Sequence, residues 1–270
     1  MIEQPALFHT LPLSYLKVIK PCKGLYIESE YCMQNPEYAK YFQGTFCENI
    51  VLDCGVGLDA SVAHLQSFVL GDRDWAVKYY DLIDRLSPDL AVAPDVLGNG
   101  LVTRRNFELY TELSPVKTPW MYVIQGKTIA EAEAEITWAL SAPNVYVVGF
   151  PRVVHYYGSN YSSSEELGQI RIKLISKYLS LFKEAAIAVH VLGLNSYDEL
   201  RFVAKHGLSC DSRLASLLAT AGLKVDGKRP LNRPQGLKVD MLHDCSVETL
   251  ELIDENVYAL ECIFRDGICQ

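Results

Sequence analysis

IVLDCG (residues 50–55), LAVAPD (90–95), MYVIQG (121–126), YVVGF (146–150), AVHVLG (188–193) and the more polar LSCDS (208–212) follow one pattern: a short run closes on a polar residue or a glycine. A helix-like stretch follows each. Runs of Val, Ile, Leu and Ala without polar alternation suit parallel strands buried on both faces, because crossover helices cover such a sheet from two sides. The intervening segments predict those helices. DWAVKYYDLIDRL (74–86) is amphipathic and stops at Ser87-Pro88, and LVTRRNFELYTEL (101–113) stops at Ser114-Pro115. TIAEAEAEITWAL (128–140) opens on Thr128 with Glu131 three residues on, a capping box. A longer helix runs from Ser164 to about Phe182, after the polar stretch 158–164. SYDELRFVAKHG (196–207) has Ser196 as N-cap, Glu199 at the box position and Gly207 as its stop, and SRLASLLATAG (212–222) and VETLELIDENVYAL (247–260) complete the set.

Strand and helix alternating in this way give a parallel sheet, closed or doubly wound. A doubly wound dinucleotide fold calls for G-x-G-x-x-G after its first strand, and Cys54-Gly55-Val56-Gly57-Leu58-Asp59 has no third glycine in place. The expectation is therefore α/β: a (β/α)8 TIM-type barrel forming a single domain over 1–270. Residues 1–48 are tyrosine-rich and punctuated by Pro21, Gly24, Pro36 and Gly44, and are expected to form an irregular cap on the barrel bottom. Residues 49–222 form the βα core, and 223–270 a basic loop and a C-terminal helix.

Composition narrows the function. With 49% hydrophobic and 21% charged residues, a 270-residue chain can bury the core of one such barrel. A net charge of -8 argues against binding nucleic acid through overall charge, leaving only a local basic patch for that role. Eight scattered cysteines lack the density of a disulfide scaffold, which predicts reduced thiols and a cytoplasmic setting. MIEQPALFHTLPLS (1–14) has no apolar core of a secretory leader, and no apolar stretch approaches the roughly 20 residues that span a bilayer, so no membrane is expected.

Polar residues at strand ends gather at one mouth of a closed barrel, where active sites of this architecture lie. Asp53, Asp95 and Asp211 are the centre of the chemistry. One carboxylate can attack a sugar carbon while another moves the proton of the departing group, the logic of retaining glycosyl transfer. A third can accept from a purine-like N–H edge, with Gln125 donating and accepting alongside and the backbone at Gly149 approaching closely for want of a Cβ. The competing reading of each aspartate is an N-cap of the next helix, which Asp59, Asp72 and Asp74 fit better. His9, His64, His206 and His243 show no metal-ligand spacing, and His190 in an apolar strand reads as a satisfied core residue.

In order, these segments resemble the tRNA-guanine transglycosylases, (β/α)8 enzymes that exchange guanine in a nucleic acid for a 7-deazaguanine. Asp53-Cys54-Gly55-Val56-Gly57 resembles the family's Asp-Ser-Gly-Gly-Phe, whose aspartate is the general acid/base. Pro88-Asp89 with Ala93-Pro94-Asp95 resembles the Asp-Ile and Asp-Glu pair that reads the base, and Ile124-Gln125-Gly126 resembles Val-Gln-Gly. Val148-Gly149-Phe150 stands where the family has Gly-Gly-Leu, and His190-Val191-Leu192-Gly193-Leu194 resembles His-Leu-Leu-Gly-Val. Gly207-Leu208-Ser209-Cys210-Asp211-Ser212 resembles the segment ending in the nucleophilic aspartate, one residue shorter here. The resemblance spans about residues 50–222.

It implies Asp211 as nucleophile and Asp53 as acid/base, with Asp95, Gln125, Gly126, Gly149, Phe150, His190 and Gly193 around the base. The family's Cys-x-Cys-x-x-Cys zinc site is missing, since Cys245, Cys262 and Cys269 are too far apart, so no metal and no cofactor is expected. Arg213-Leu214-Ala215 replaces the family's Pro-Thr-Arg, and no RNA-binding domain is seen to follow. Both departures resemble the phage and bacterial relatives that act on DNA. The implied partners are then DNA (or tRNA), a 7-deazaguanine such as preQ0, and a second copy of the chain, with a host cytoplasm if the gene is a phage's. Lys224, Lys228, Arg229, Arg233 and Lys238 form the candidate phosphate clamp, joined by Arg213, by Arg152 with His155, Tyr156 and Tyr157, and by Arg104-Arg105. A solvated loop is the competing reading of the clamp.

The alternatives are a tRNA-guanine transglycosylase and a catalytically silent nucleic-acid-binding subunit of the same fold. Schiff-base aldolases and metal amidohydrolases are disfavoured, because the six strand ends carry no lysine and no His-x-His.

Overall fold

A computed structural model describes residues 6–18, 22–41, 47–53, 73–115, 117–152, 163–194, 196–227, 239, 241–242 and 244–268. Eight parallel strands close on themselves in chain order. They are β1 (Ala6–His9), β2 (Cys22–Glu28), β3 (Cys47–Asp53), β4 (Leu90–Val92), β5 (Trp120–Val123), β6 (Val147–Phe150), β7 (Ala188–Val191) and β8 (Ser209–Ser212). The helices outside them are α1 (Leu13–Leu16), α2 (Ser29–Gln34), α3 (Pro36–Lys40), α4 (Arg73–Leu86), α5 (Gly100–Glu112), α6 (Ile129–Ser141), α7 (Ser164–Glu184), α8 (Tyr197–Lys205), α9 (Leu214–Thr220) and α10 (Val247–Ile268). Among the described residues, no helix is long and apolar enough to cross a membrane.

The fold is thus the closed (β/α)8 barrel, but its closure overturns the reading of residues 1–48 as an irregular cap. That segment supplies β1 and β2. β1 pairs with β8 from Ala6↔Ser209 through His9↔Ser212, and β2 pairs with β3 from Cys22↔Cys47 to Glu28↔Asp53. Neither strand advertised itself. ALFH is only four residues long, and CKGLYIE mixes a lysine, a glycine and a glutamate into its apolar positions, so neither reads as an apolar run. Gly24 has a packing reason: a Cβ there would lie 2.8 Å from the Leu7 carbonyl oxygen and 3.0 Å from the Phe8 ring.

Alternation along the strands sorts side chains into two cores. Phe8, Tyr26, Val51, Leu90, Val92, Met121 and Val123 fill the barrel interior, with Ala6, Val147 and Leu192 at its edge. The other face packs under the helices. On β5, for example, Tyr122 sits edge-on to Phe107 of α5 and Trp138 of α6, while its neighbours Met121 and Val123 point inward. The C-terminal helix α10 packs on α8 and α9. Asn256 fastens it: Oδ1 accepts from the Val225 N–H, and Nδ2 donates to the carbonyls of Ala215 and Leu223.

The capping signals behave as read. Thr128 and Ser196 accept from the N–H groups of Glu131 and Glu199. Gly207 (φ +68°) ends α8 in a left-handed turn, with Gly207 N–H bonded to Ala204 and Leu208 N–H to Val203. α7 ends the same way without a glycine: Ala186 takes φ +55°, with its N–H bonded to Lys183 and that of Ile187 to Phe182. A left-handed alanine costs roughly 1–2 kcal/mol, part of which a glycine would return as unfolded-chain entropy. Ala186→Gly is therefore expected to stabilise the protein by about 0.5 kcal/mol, read as a higher denaturation midpoint in urea.

Candidate active site at the barrel mouth

Asp211 lies near the C-terminal end of β8, the end at which barrels of this kind carry their sites. Alternation puts Ser209 and Asp211 on one face of β8 and Cys210 on the other. Cys210 belongs to the outer core, and burial pushes its thiol well above the usual range, so it is no nucleophile. Asp211 is 5% exposed. Its Oδ1 accepts from the Gly193 N–H at 2.8 Å and faces His190 Nε2 at 3.2 Å. No described residue donates to Oδ2. One carboxylate oxygen is thus anchored twice, and no described residue binds the other.

Gly193 has two reasons to be glycine. Its φ is +57°, and a Cβ would sit 3.1 Å from Cβ and Cδ of Arg152, whose aliphatic stem lies over it. Arg152 is thereby brought beside the loop that holds Asp211. His190 is fully buried, with Nδ1 2.9 Å from Ser209 Oγ and its ring stacked on Tyr26 at 6.1 Å and 11°. Both of its nitrogens are engaged, and the ring lies in the barrel interior beside the carboxylate.

The loop after β4 and the end of β5 bring Asp95 and Gln125 together. Gln125 Nε2 donates to Asp95 Oδ2 at 2.6 Å, while its Oε1 accepts from the Gly98 N–H at 3.0 Å. Gln125 is fully buried and holds Asp95 from behind. Thr103 and Asn106 of α5 brace the same loop, through Thr103 Oγ1 with the Val96 N–H and Asn106 Nδ2 with the Pro94 carbonyl.

Packing explains the residue type at three further positions expected around the base. A Cβ on Gly126 would meet the Ala132 N at 2.9 Å, so this glycine serves the tight turn into α6. At Gly149 the space that glycine leaves is taken by Met121 Sδ, 2.7 Å from a Cβ position, and by Leu192. Phe150 points the other way altogether, edge-on to Phe182 of α7 beneath the helices.

Asp53 closes β3 level with Glu28 at the end of β2. Glu28, which the strand reading passed over, forms an ion pair with Arg213. Recognising CKGLYIE as a strand was the signal needed to find it. Arg213 is therefore engaged at the mouth rather than held out for phosphate, and burial lowers its affinity for its proton relative to the ordinary guanidinium. Lys224 pairs on the surface with Glu255 at 2.5 Å. Arg104 makes a two-point bridge to Glu135 and lies 4.8 Å over the Trp138 ring. Lys228, Arg229, Arg233 and Lys238 fall outside the described residues, as do His155, Tyr156 and Tyr157.

Cys32, Cys210, Cys245 and Cys262 are free thiols. Among the described residues, no group of three or more His, Cys, Asp or Glu side chains is arranged to hold a metal ion.

Arg171 of α7 also went unnoticed in the sequence. It is fully buried, and it donates from Nε to Glu199 Oε1 (2.6 Å), from Nη1 to the carbonyls of Phe150 (3.1 Å) and Leu192 (2.7 Å), and from Nη2 to that of Gly193 (2.9 Å). The Leu192–Gly193 peptide is thus gripped at both ends, its carbonyl by Arg171 and its N–H by Asp211. Removing one partner of a buried ion pair costs about 3–5 kcal/mol. Arg171→Met is expected to lose that much in chemical denaturation. Gly193→Ala should cost about 1–2 kcal/mol for the left-handed backbone alone and should displace Arg152, measured in the same way.

Neither a protein-family model nor a curated protein sequence matches the chain. Among solved structures, active domain 2 of the thermostable chitinase from Pyrococcus furiosus, as catalytic-site mutants complexed with chito-oligosaccharides, is 13% identical with a TM-score of 0.42. That alignment covers 96% of this chain and 97% of the other. The catalytic domain of the hyperthermophilic chitinase from the same organism is 13% identical with a TM-score of 0.40, over 96% and 98% of the two chains.

Proposed function

We propose that the chain is an enzyme of base exchange, a transglycosylase that replaces guanine in a nucleic acid, DNA in the first instance, with a 7-deazaguanine. The observation that carries the reading is Asp211: a buried carboxylate at the barrel mouth with Oδ1 held by two donors and Oδ2 unclaimed by any described residue. That is the arrangement a nucleophilic carboxylate needs, since a fixed oxygen aims its partner. In the first step Oδ2 attacks C1′ of the target nucleotide as the C1′–N9 bond breaks. The bonding pair leaves with guanine, and Asp53 supplies the proton. In the second step the incoming deazaguanine attacks C1′, Asp53 takes its proton, and the C1′–Oδ2 pair returns to Asp211. Configuration is retained through two inversions.

Asp95, held by Gln125, reads the N–H edge of either base. The target nucleotide must leave its stack to enter a barrel mouth. Arg152, whose stem lies over Gly193 beside the Asp211 loop, meets the phosphate of that nucleotide in this reading.

The test is exchange of radiolabelled guanine into DNA and, separately, into tRNA, with wild type and Asp211→Ala. Labelling of DNA that falls at least about 10³-fold in the variant is expected, as for loss of a nucleophile. Labelling of tRNA alone would move the substrate to tRNA. Labelling that survives Asp211→Ala, or none in either polymer, would overturn the assignment.

A further inference from the structure

We infer that His190, locked by Ser209, is a positioning residue for Asp211 whose contribution falls mainly on breakdown of the covalent intermediate. This rests on Asp211 being the nucleophile. The hydrogen-bond chain fixes the proton positions. An ionised Asp211 Oδ1 can only accept, so His190 Nε2 carries the hydrogen across the 3.2 Å contact. For the Ser209 hydroxyl, His190 Nδ1 at 2.9 Å is a much better placed acceptor than the Val189 carbonyl at 3.5 Å. The hydroxyl therefore donates to Nδ1, and the imidazole is held as its Nε2–H tautomer. The stack on Tyr26 and the tilted contact with Phe8, at 5.8 Å, fix the plane of the ring.

The consequence is unequal between the two steps. On attack, Oδ2 bonds to C1′ and negative charge drains from the carboxylate, so donors already aimed at Oδ1 oppose that step slightly. On breakdown, the pair from the Oδ2–C1′ bond returns to the carboxylate, and charge grows on Oδ1 where the Gly193 N–H and His190 Nε2–H already point. Donors preorganised toward developing charge stabilise that transition state. Asp211 thus becomes a better leaving group than a solvent-exposed carboxylate, and the glycosyl-enzyme does not persist.

Two measurements separate this inference from the reading of Asp211. The first needs no substrate: ¹⁵N–¹H NMR of the histidine rings, with His190 identified by the signal lost in His190→Gln. It should show the Nε2–H tautomer in wild type and, because Asp211 still requires that hydrogen, in Ser209→Ala as well, with the Nδ1 resonance shifted by loss of the hydroxyl; this small-to-smaller change is expected to keep the fold. The second is the fraction of enzyme trapped as covalent adduct during turnover, by intact mass. In His190→Leu the adduct should accumulate while kcat falls about 10- to 100-fold, the range for losing a hydrogen bond to a charged group. KM for the nucleic acid should fall with it, because kcat/KM for the first substrate reports only the attack step. Ser209→Ala should show the same trend more weakly, and His190→Gln, which can still donate, should recover part of the rate.

An Nδ1–H tautomer in wild type, or a rate loss in His190→Leu and Ser209→Ala without adduct accumulation, would overturn the inference alone. Absence of any adduct in wild type, even under single-turnover trapping, would overturn the nucleophile reading and the role of His190 with it.

Discussion

A guanidinium taken fully out of water has to find acceptors for its N–H groups, and Arg171 finds them in one small region. The Glu199 carboxylate balances its charge, and the carbonyls of Phe150, Leu192 and Gly193 take three more of its five donors. Desolvating an unpaired ion costs several kcal/mol, so the arrangement tolerates little drift. It pins the ends of β6 and β7 to the start of α8 and sets the peptide whose N–H meets Asp211. The position of the candidate nucleophile is therefore inherited from a residue that never faces the mouth.

Barrel closure does the rest. β8 is a poor strand by composition, with two serines, a cysteine and an aspartate, and it is held because β1 and β7 pair with it on both sides. Below the mouth the interior is apolar, filled by Phe8, Tyr26 and Met121 with their neighbours. His190 lies against this apolar plug and turns one edge to Asp211 and the other to Ser209. A polar chain between an apolar floor and a carboxylate has few alternative partners, which makes its geometry specific. On the other side of the mouth, Gln125 and Asp95 repeat the device: a buried amide holds a carboxylate from behind.

Much of this was legible because it depends on short stretches of chain. Five apolar runs, the caps at Thr128 and Ser196 and the stop at Gly207 are local signals, and each marks the element it predicts. Asp95 and Asp211 were visible as carboxylates at strand ends. The neighbours of Gly149 and Phe150 were less legible. What faces these residues depends on strand parity and on residues far along the chain, Met121 and Phe182, whereas Gly126 is set locally by the turn into α6. Arg171 in the middle of a helix looks like any surface arginine until Glu199 and three carbonyls are folded around it.

The amino-acid sequence by itself determined the barrel class, the order of its later strands and helices, and the carboxylates carried to their ends, because periodicity, caps and breakers act within a few residues. Only the tertiary structure decided that residues 6–28 close the barrel, that Glu28 meets Arg213, and that His190 and Gly193 grip one oxygen of Asp211 and leave the other without a described donor. Those facts are contacts between distant segments. They exist only once closure brings the first strand against the eighth.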